Sequence, residues 1–160
     1  MRSLILLFAT ILMQNPQSPN SQQSLVQRGE HVMGFSHEKT THHFLLYPNG
    51  GEIRVGANDS ADKTSVDQIR MHLGHIAKMF AAGNFNAPAL IHETTVPGVP
   101  TMTRLKEFIK YDYSDTGNGA RIRLITDNLQ ALDAIHAFLL FQIIDHQTGD
   151  NAAIMAAPAN

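Results

Sequence analysis

The chain contains no cysteine in 160 residues. That excludes disulfides, thiolate nucleophiles, zinc–thiolate centres and a lipid anchor carried on cysteine. Charge is sparse as well, with 16% of residues charged and a net charge of -2. A duplex-binding domain normally carries a basic stripe, so nucleic acid is not an expected partner. No block of like charges offers a polybasic patch to a membrane surface. The apolar run at residues 4–13 is too short for a bilayer, which takes about 20 residues. Spacings typical of a serine–histidine–acid arrangement are missing, and so is a glycine loop that would cradle phosphate. The glycines in Pro48-Asn49-Gly50-Gly51 and Thr116-Gly117-Asn118-Gly119 read as turn residues.

Histidine, in contrast, is plentiful and unevenly placed. Seven of the nine histidines lie between residues 31 and 92: His31, His37, His42, His43, His72, His75 and His92. Imidazole is a common metal ligand and the side chain most readily recruited for proton transfer near neutral pH. The bias marks where chemistry would sit without naming a reaction.

Composition is that of one ordinary globular domain, with 43% hydrophobic residues. Met1-Arg2-Ser3, the apolar run and the polar residues 14–23 have the order of an export signal. Residues 1–23 are therefore expected to be a signal peptide or a disordered polar leader, and the protein to be exported, periplasmic or secreted. Ser21, with Pro19 upstream, makes a poor cleavage site. Residues 24–150 form the expected domain, and the Ala-rich residues 151–160 a flexible tail.

Within the domain one pattern occurs twice. Residues 40–47 are β-branched and aromatic, Pro48-Asn49-Gly50-Gly51 signals a hairpin, and residues 52–57 alternate again. Asn58-Asp59-Ser60 offers helix caps, after which Val66, Ile69, Leu73, Ile76 and Phe80 recur at helical spacing up to Gly83. A connection containing Pro88, Pro97 and Pro100 leads to a short helix expected over residues 103–109. Strands follow at 110–114 and 120–126, then a helix capped by Asp127 and running to about His146. Gly50-Gly51-Glu52-Ile53-Arg54-Val55 parallels Gly119-Ala120-Arg121-Ile122-Arg123-Leu124, and Val66-Asp67-Gln68-Ile69 parallels Leu132-Asp133-Ala134-Ile135. The reading is an α+β fold: a duplicated ββα unit (residues 38–83 and 103–148) forming a four-stranded, mainly antiparallel sheet with two long helices on one face.

Pairing the first hairpin around Asn49-Gly50 sets Leu46 opposite Ile53 and Phe44 opposite Val55. His42 then lies on the helix side at the edge, and His43 on the other face with Leu45, Tyr47 and Arg54. In the second hairpin Tyr111, Tyr113, Ile122 and Leu124 face inward, while Asp112 and Arg123 meet on the open face.

On the first long helix, His72, His75 and Met79 share a flank beside the apolar stripe, three and four residues apart, so each pair can touch. The second helix places Phe138, Phe141 and Asp145 at the matching positions. The candidate metal ligands are accordingly His72, His75 and Met79, joined by one of His42, His37 or His92. With no thiolate available, histidine and methionine in an exported protein favour copper, with zinc or nickel through imidazole alone. The His-x-x-His pair lacks the glutamate and the i, i+4 spacing of a zinc-protease helix. His136 reads as a packing residue, and His146 as a terminal-turn residue whose charged form the helix dipole favours.

Residues Arg28-Gly29-Glu30-His31-Val32-Met33-Gly34-Phe35-Ser36-His37-Glu38-Lys39-Thr40-Thr41-His42-His43-Phe44 resemble the opening signature of a group of small exported bacterial proteins of unknown function. Pro97-Gly98-Val99-Pro100 and Asp145-His146-Gln147-Thr148-Gly149-Asp150 are similar too. The resemblance spans residues 28–150 and implies a free-standing domain. It brings no activity, substrate or cofactor.

Three functions compete. The first is an exported domain with a transition-metal-binding seam lined by His and Met. The second is a structural or interaction domain, a homodimer through the Phe138/Phe141 flank in which the histidines merely pack. The third is an enzyme using a seam histidine as general base, with Arg54 or Arg123 holding an anionic substrate. That third reading needs those arginines on the same side of the sheet as the histidines.

Overall fold

The computed structural model describes residues 19–157; of the leader expected over residues 1–23, residues 1–18 lie outside them and the rest begins the first helix. The elements are α1 (Pro19–Met33), β1 (Thr40–Tyr47), β2 (Gly50–Ala57), α2 (Lys63–Ala81), α3 (Asn86–His92), α4 (Val99–Arg104), β3 (Lys110–Thr116), β4 (Gly119–Ile125) and α5 (Leu129–Asp145). Short 3-10 turns occupy His37–Lys39 and Lys106–Phe108. The fold is α+β, with one antiparallel sheet in the order β1-β2-β4-β3. Hairpin then long helix occurs in each half of the chain. The long helices change sides: α2 packs mainly on β3 and β4, and α5 on β1 and β2. Each hairpin is therefore covered largely by the helix of the other half.

Local chemistry explains the long helices. Asp62 caps α2 by accepting from Ser65 N–H at 3.1 Å, two residues beyond the expected caps Asn58-Asp59-Ser60. The expected stripe Val66, Ile69, Leu73, Ile76 and Phe80 is buried throughout, and each such side chain contributes about 1.5–3 kcal/mol when fully buried. Gly83, at φ +78, ends the helix in the left-handed conformation. Asn128, not Asp127, caps α5 by accepting from Ala131 N–H at 3.0 Å.

The first hairpin corrects the expected register. Phe44 pairs with Ile53, Leu46 with Gly51 and His42 with Val55, so each partner moves by two residues. The turn residues are Pro48 and Asn49, while Gly50 and Gly51 belong to β2. A Cβ on Gly50 would stand 1.8 Å from the Leu124 carbonyl oxygen, and one on Gly51 2.2 Å from Leu139 Cδ1. These glycines serve close approach between strands and to α5. Because the shift is even, the faces survive: Phe44, Leu46, Ile53 and Val55 are core residues. In the second hairpin Asp112 pairs with Arg123, as expected, which sets Tyr111 opposite Leu124 and Tyr113 opposite Ile122.

Two helices are not foreseen in the sequence: α1, which begins within the stretch read as a leader, and α3, in the stretch read as a connection. The short helix expected over 103–109 is α4, which begins four residues earlier at Val99. Gly98 permits this docking, since a Cβ there would meet the Ala134 carbonyl oxygen of α5 at 2.0 Å. α1 packs against α3, held by Arg28, whose Nε donates to the Ile91 carbonyl at 2.7 Å and whose guanidinium lies 3.2 Å from Glu93. Beyond α5, Asp150 accepts from His43 Nδ1 at 2.8 Å and from Phe44 N–H at 2.9 Å, and Met155 N–H donates to Leu46 O at 2.9 Å. This segment is thereby tied to the edge strand β1.

Candidate functional site

The imidazoles gather where the start of β1 meets the end of α5. His42 projects from β1 on the helix side, as expected from strand alternation. The α1–β1 connection folds over it. Gly34 stops α1 at φ +77, and Glu30 then accepts from Ser36 Oγ at 2.9 Å and from His37 N–H at 3.0 Å. His37 is thus set on His42, with ring centroids 5.2 Å apart. His146, the residue that caps the end of α5, completes a triangle 6.2 Å from each.

His92, the last residue of α3, abuts His146 at 5.0 Å. Its side chain is 1% exposed. Nδ1 donates to Asp145 Oδ2 at 2.5 Å, and Nε2 meets Gln142 Oε1 at 3.0 Å. A carboxylate behind an imidazole fixes its tautomer and orientation. His72 reaches the cluster's flank from α2, edge-on to Phe35 at 5.5 Å.

Burial sets the charge state. His42 is pushed down to about 3, first by burial and then by the imidazoles of His37, His146 and His72. His146 falls to about 4 through burial, then His92 and His37. His72 falls to about 4 through burial and then His75. His37 is lowered by burial, partly countered by Glu30. Near neutral pH these groups carry lone pairs and no charge, the form that ligates metals. His37 Nε2 is buried with no hydrogen-bond partner. Its space comes from Gly29, where a Cβ would lie 2.6 Å from that nitrogen and 3.3 Å from Met33 Cε.

The candidates chosen from sequence separate. His42, His37 and His92 join one cluster with His72 on its flank. His75 is exposed and stands with Met71, Lys78 and Tyr113 on the β3 side of α2. Met79 is half-buried and is not among the residues lining the cavity beside the cluster. His146 is not among the expected ligands: the helix dipole favours its charged form, but burial outweighs the dipole here. His136 packs as expected, its Nε2 donating to the carbonyls of Tyr47 and Gly50 at 2.9 and 3.0 Å. Phe138 is buried and Phe141 half-buried against His92, so the chain itself covers that flank. Arg54 sits on the far face, its Nε donating to Glu52 at 2.8 Å, and Arg123 lies there over the Tyr47 ring at 5.3 Å. Neither arginine lines the cavity beside the histidines, so the reading in which they hold a substrate for a seam histidine is not retained.

Among the described residues, no three His, Asp or Glu side chains stand gathered about one point as a ready-made metal cage. The chain matches no protein-family model, no curated protein and no solved structure.

Proposed function

We propose that this is an exported domain that binds a transition metal, copper in preference to zinc or nickel, through His37, His42 and His146, with His92 as a fourth imidazole. The observation that carries the reading is the spacing of these rings, 5.0–6.2 Å between neighbouring centroids. Two imidazoles on one tetrahedral ion have centroids about 5 Å apart, given metal–nitrogen bonds of about 2.0–2.1 Å. The ion would require the rings to turn toward a common point, and His92 Nε2 to leave Gln142, its partner at 3.0 Å. The unpartnered His37 Nε2 and the burial that disfavours the charged forms of His37, His42 and His146 support the same reading. Met33, beside His37, replaces Met79 as the nearby thioether and favours copper.

Titration of metal-free protein with Cu(I), Cu(II), Zn(II) and Ni(II) tests this. Binding at micromolar level or tighter is expected, with an absorption spectrum showing imidazole nitrogens at about 2.0–2.1 Å. His42→Phe and His146→Phe should each weaken binding by about tenfold or more, a range typical of lost metal-site groups, whereas His75→Ala and Met79→Leu should not. No binding of any of the four ions at micromolar level overturns the proposal.

A further inference from the structure

Behind the imidazoles lies a cavity of about 70 Å³ between α2, α5 and the sheet, roofed by Met33 of α1 and by Ala87, Pro88 and Ile91 of α3. Most of its wall is hydrocarbon, including Phe44, Val55, Leu73, Ile76, Phe80 and Phe138. His42, His72, His92, His146 and Gln142 form the polar end. No Asp, Glu, Lys or Arg lines it.

Gln142 supplies a second observation. It is 4% exposed, one end of its amide meets His92, and its Nε2 is buried with no partner. A buried amide that leaves one end unpaired carries a desolvation cost that a ligand atom removes. Turning the amide about its last bond exchanges the spare donor for a spare acceptor and still leaves one end open.

We propose that this cavity binds a small uncharged molecule, a short hydrocarbon bearing one hydroxyl or carbonyl oxygen, with that oxygen on the Gln142 amide and the hydrocarbon against the α2 and β2 side chains. The size follows from the volume: a water needs about 10–15 Å³ of such space, so 70 Å³ takes roughly five non-hydrogen atoms. Water alone is a poor occupant, because cavities walled by Leu, Ile and Phe stay dry. A charged molecule would be buried without a counter-ion, which is strongly disfavoured. The inference concerns the metal-free chain, rests on the hydrocarbon wall and Gln142, and does not depend on the imidazoles taking a metal.

Methyl NMR on the metal-free full chain, labelled at Ile, Leu, Val and Met, tests it with butan-2-ol, butan-2-one, xenon and butyrate as probes. The alcohol or the ketone should give saturable shifts at Ile53, Leu73 and Ile76, with a dissociation constant on the order of 1 mM for so few atoms. Xenon should shift the same methyls, and butyrate none. Gln142→Leu should weaken the oxygen-bearing probes by about tenfold and leave xenon unchanged. Ile76→Phe should abolish all binding, and Ala87→Leu, which fills the cavity from α3, does the same where the first variant does not fold. Absence of saturable shifts, equal response to butyrate, or binding that persists in the filled variants overturns the cavity assignment. An unchanged alcohol and ketone affinity in Gln142→Leu overturns the polar anchor. Metal titration of the same sample is a separate readout, so the two proposals fail independently.

Discussion

A missing side chain does much of the positioning in this protein. Gly29 lies inside α1, where Gly is about 0.8–1.0 kcal/mol less favourable than Ala, and the space above it is filled by His37 Nε2. Gly29→Ala therefore sets a helix gain against a displaced imidazole. The side chain that must yield is the end of a flexible group, so stability should stay within about 1 kcal/mol of the parent. Metal affinity should fall by about tenfold or more, because the ring loses its seat on His42. Denaturant unfolding and metal titration on one sample check both halves. Unchanged affinity would mean that His37 does not take part. Gly50 behaves differently: its φ is +144 and the atom a Cβ would strike is the Leu124 carbonyl oxygen, which belongs to a central strand. Gly50→Ala should cost about 3 kcal/mol or more, in the range of backbone strain combined with overpacking, as a drop in denaturation midpoint would record.

Among the elements, β2 carries an unusual burden on the face turned away from α2 and α5. Glu52 is 0% exposed, held by Arg54 and with Arg121 3.9 Å away. Its register partner on β4 is Arg123. Taking one cation from a buried pair leaves a charge without compensation, which costs about 3–5 kcal/mol. Arg121 remains nearby and Arg54 is 40% exposed, so Arg54→Ala should lose less, about 1–3 kcal/mol. Arg54→Lys should recover only part of it, since an ammonium cannot reproduce the guanidinium fork. Thermal or chemical denaturation of the two variants measures this, and a neutral Arg54→Ala would show that Glu52 is compensated elsewhere. The strands and long helices were legible in the sequence because period 2 and period 3.6 both survive in the letters. Registers and sites were less so. Gly50-Gly51 looks like a turn because close approach to a strand not yet placed leaves the same residue type. On α2, about 100° per residue already puts His75 near 140° from the centre of the buried stripe and His72 near 80°, so proximity along the helix overstated their partnership. His146 and His92 could not be paired from sequence, because the contact joins the ends of α5 and α3 and depends on a helix hidden in a Pro-containing connection.

For the whole molecule, the two ends of the domain fold onto one another at the imidazole cluster. Asp150 binds β1 at His43 and Phe44, Asp145 holds His92, and His146 lies against His42 and His37. Stretches distant in the chain, residues 28–44 and 145–150, thereby become one structural unit. Its stability must depend on pH. His42 is held at about 3, and His72 and His146 at about 4, against about 6.5 in an unfolded chain. As pH falls below that unfolded value, the unfolded chain takes up protons that the folded chain refuses. Stability therefore rises with pH between the folded and unfolded values. It is fully present above about pH 7 and is lost as pH falls through 6.5 toward 4. Each such histidine removes about 1.8 kcal/mol between pH 7 and pH 5, and three neighbours titrating together remove about 3–5 kcal/mol. Denaturant unfolding of metal-free protein at these two pH values should show that loss, and a His42→Phe variant should lose about 1–2 kcal/mol less. A saturating metal should oppose it, adding about 2.7 kcal/mol at a hundredfold excess over the dissociation constant, until protons displace the ion. A flat profile from pH 7 to pH 5 would mean that the cluster opens to solvent before it takes up charge.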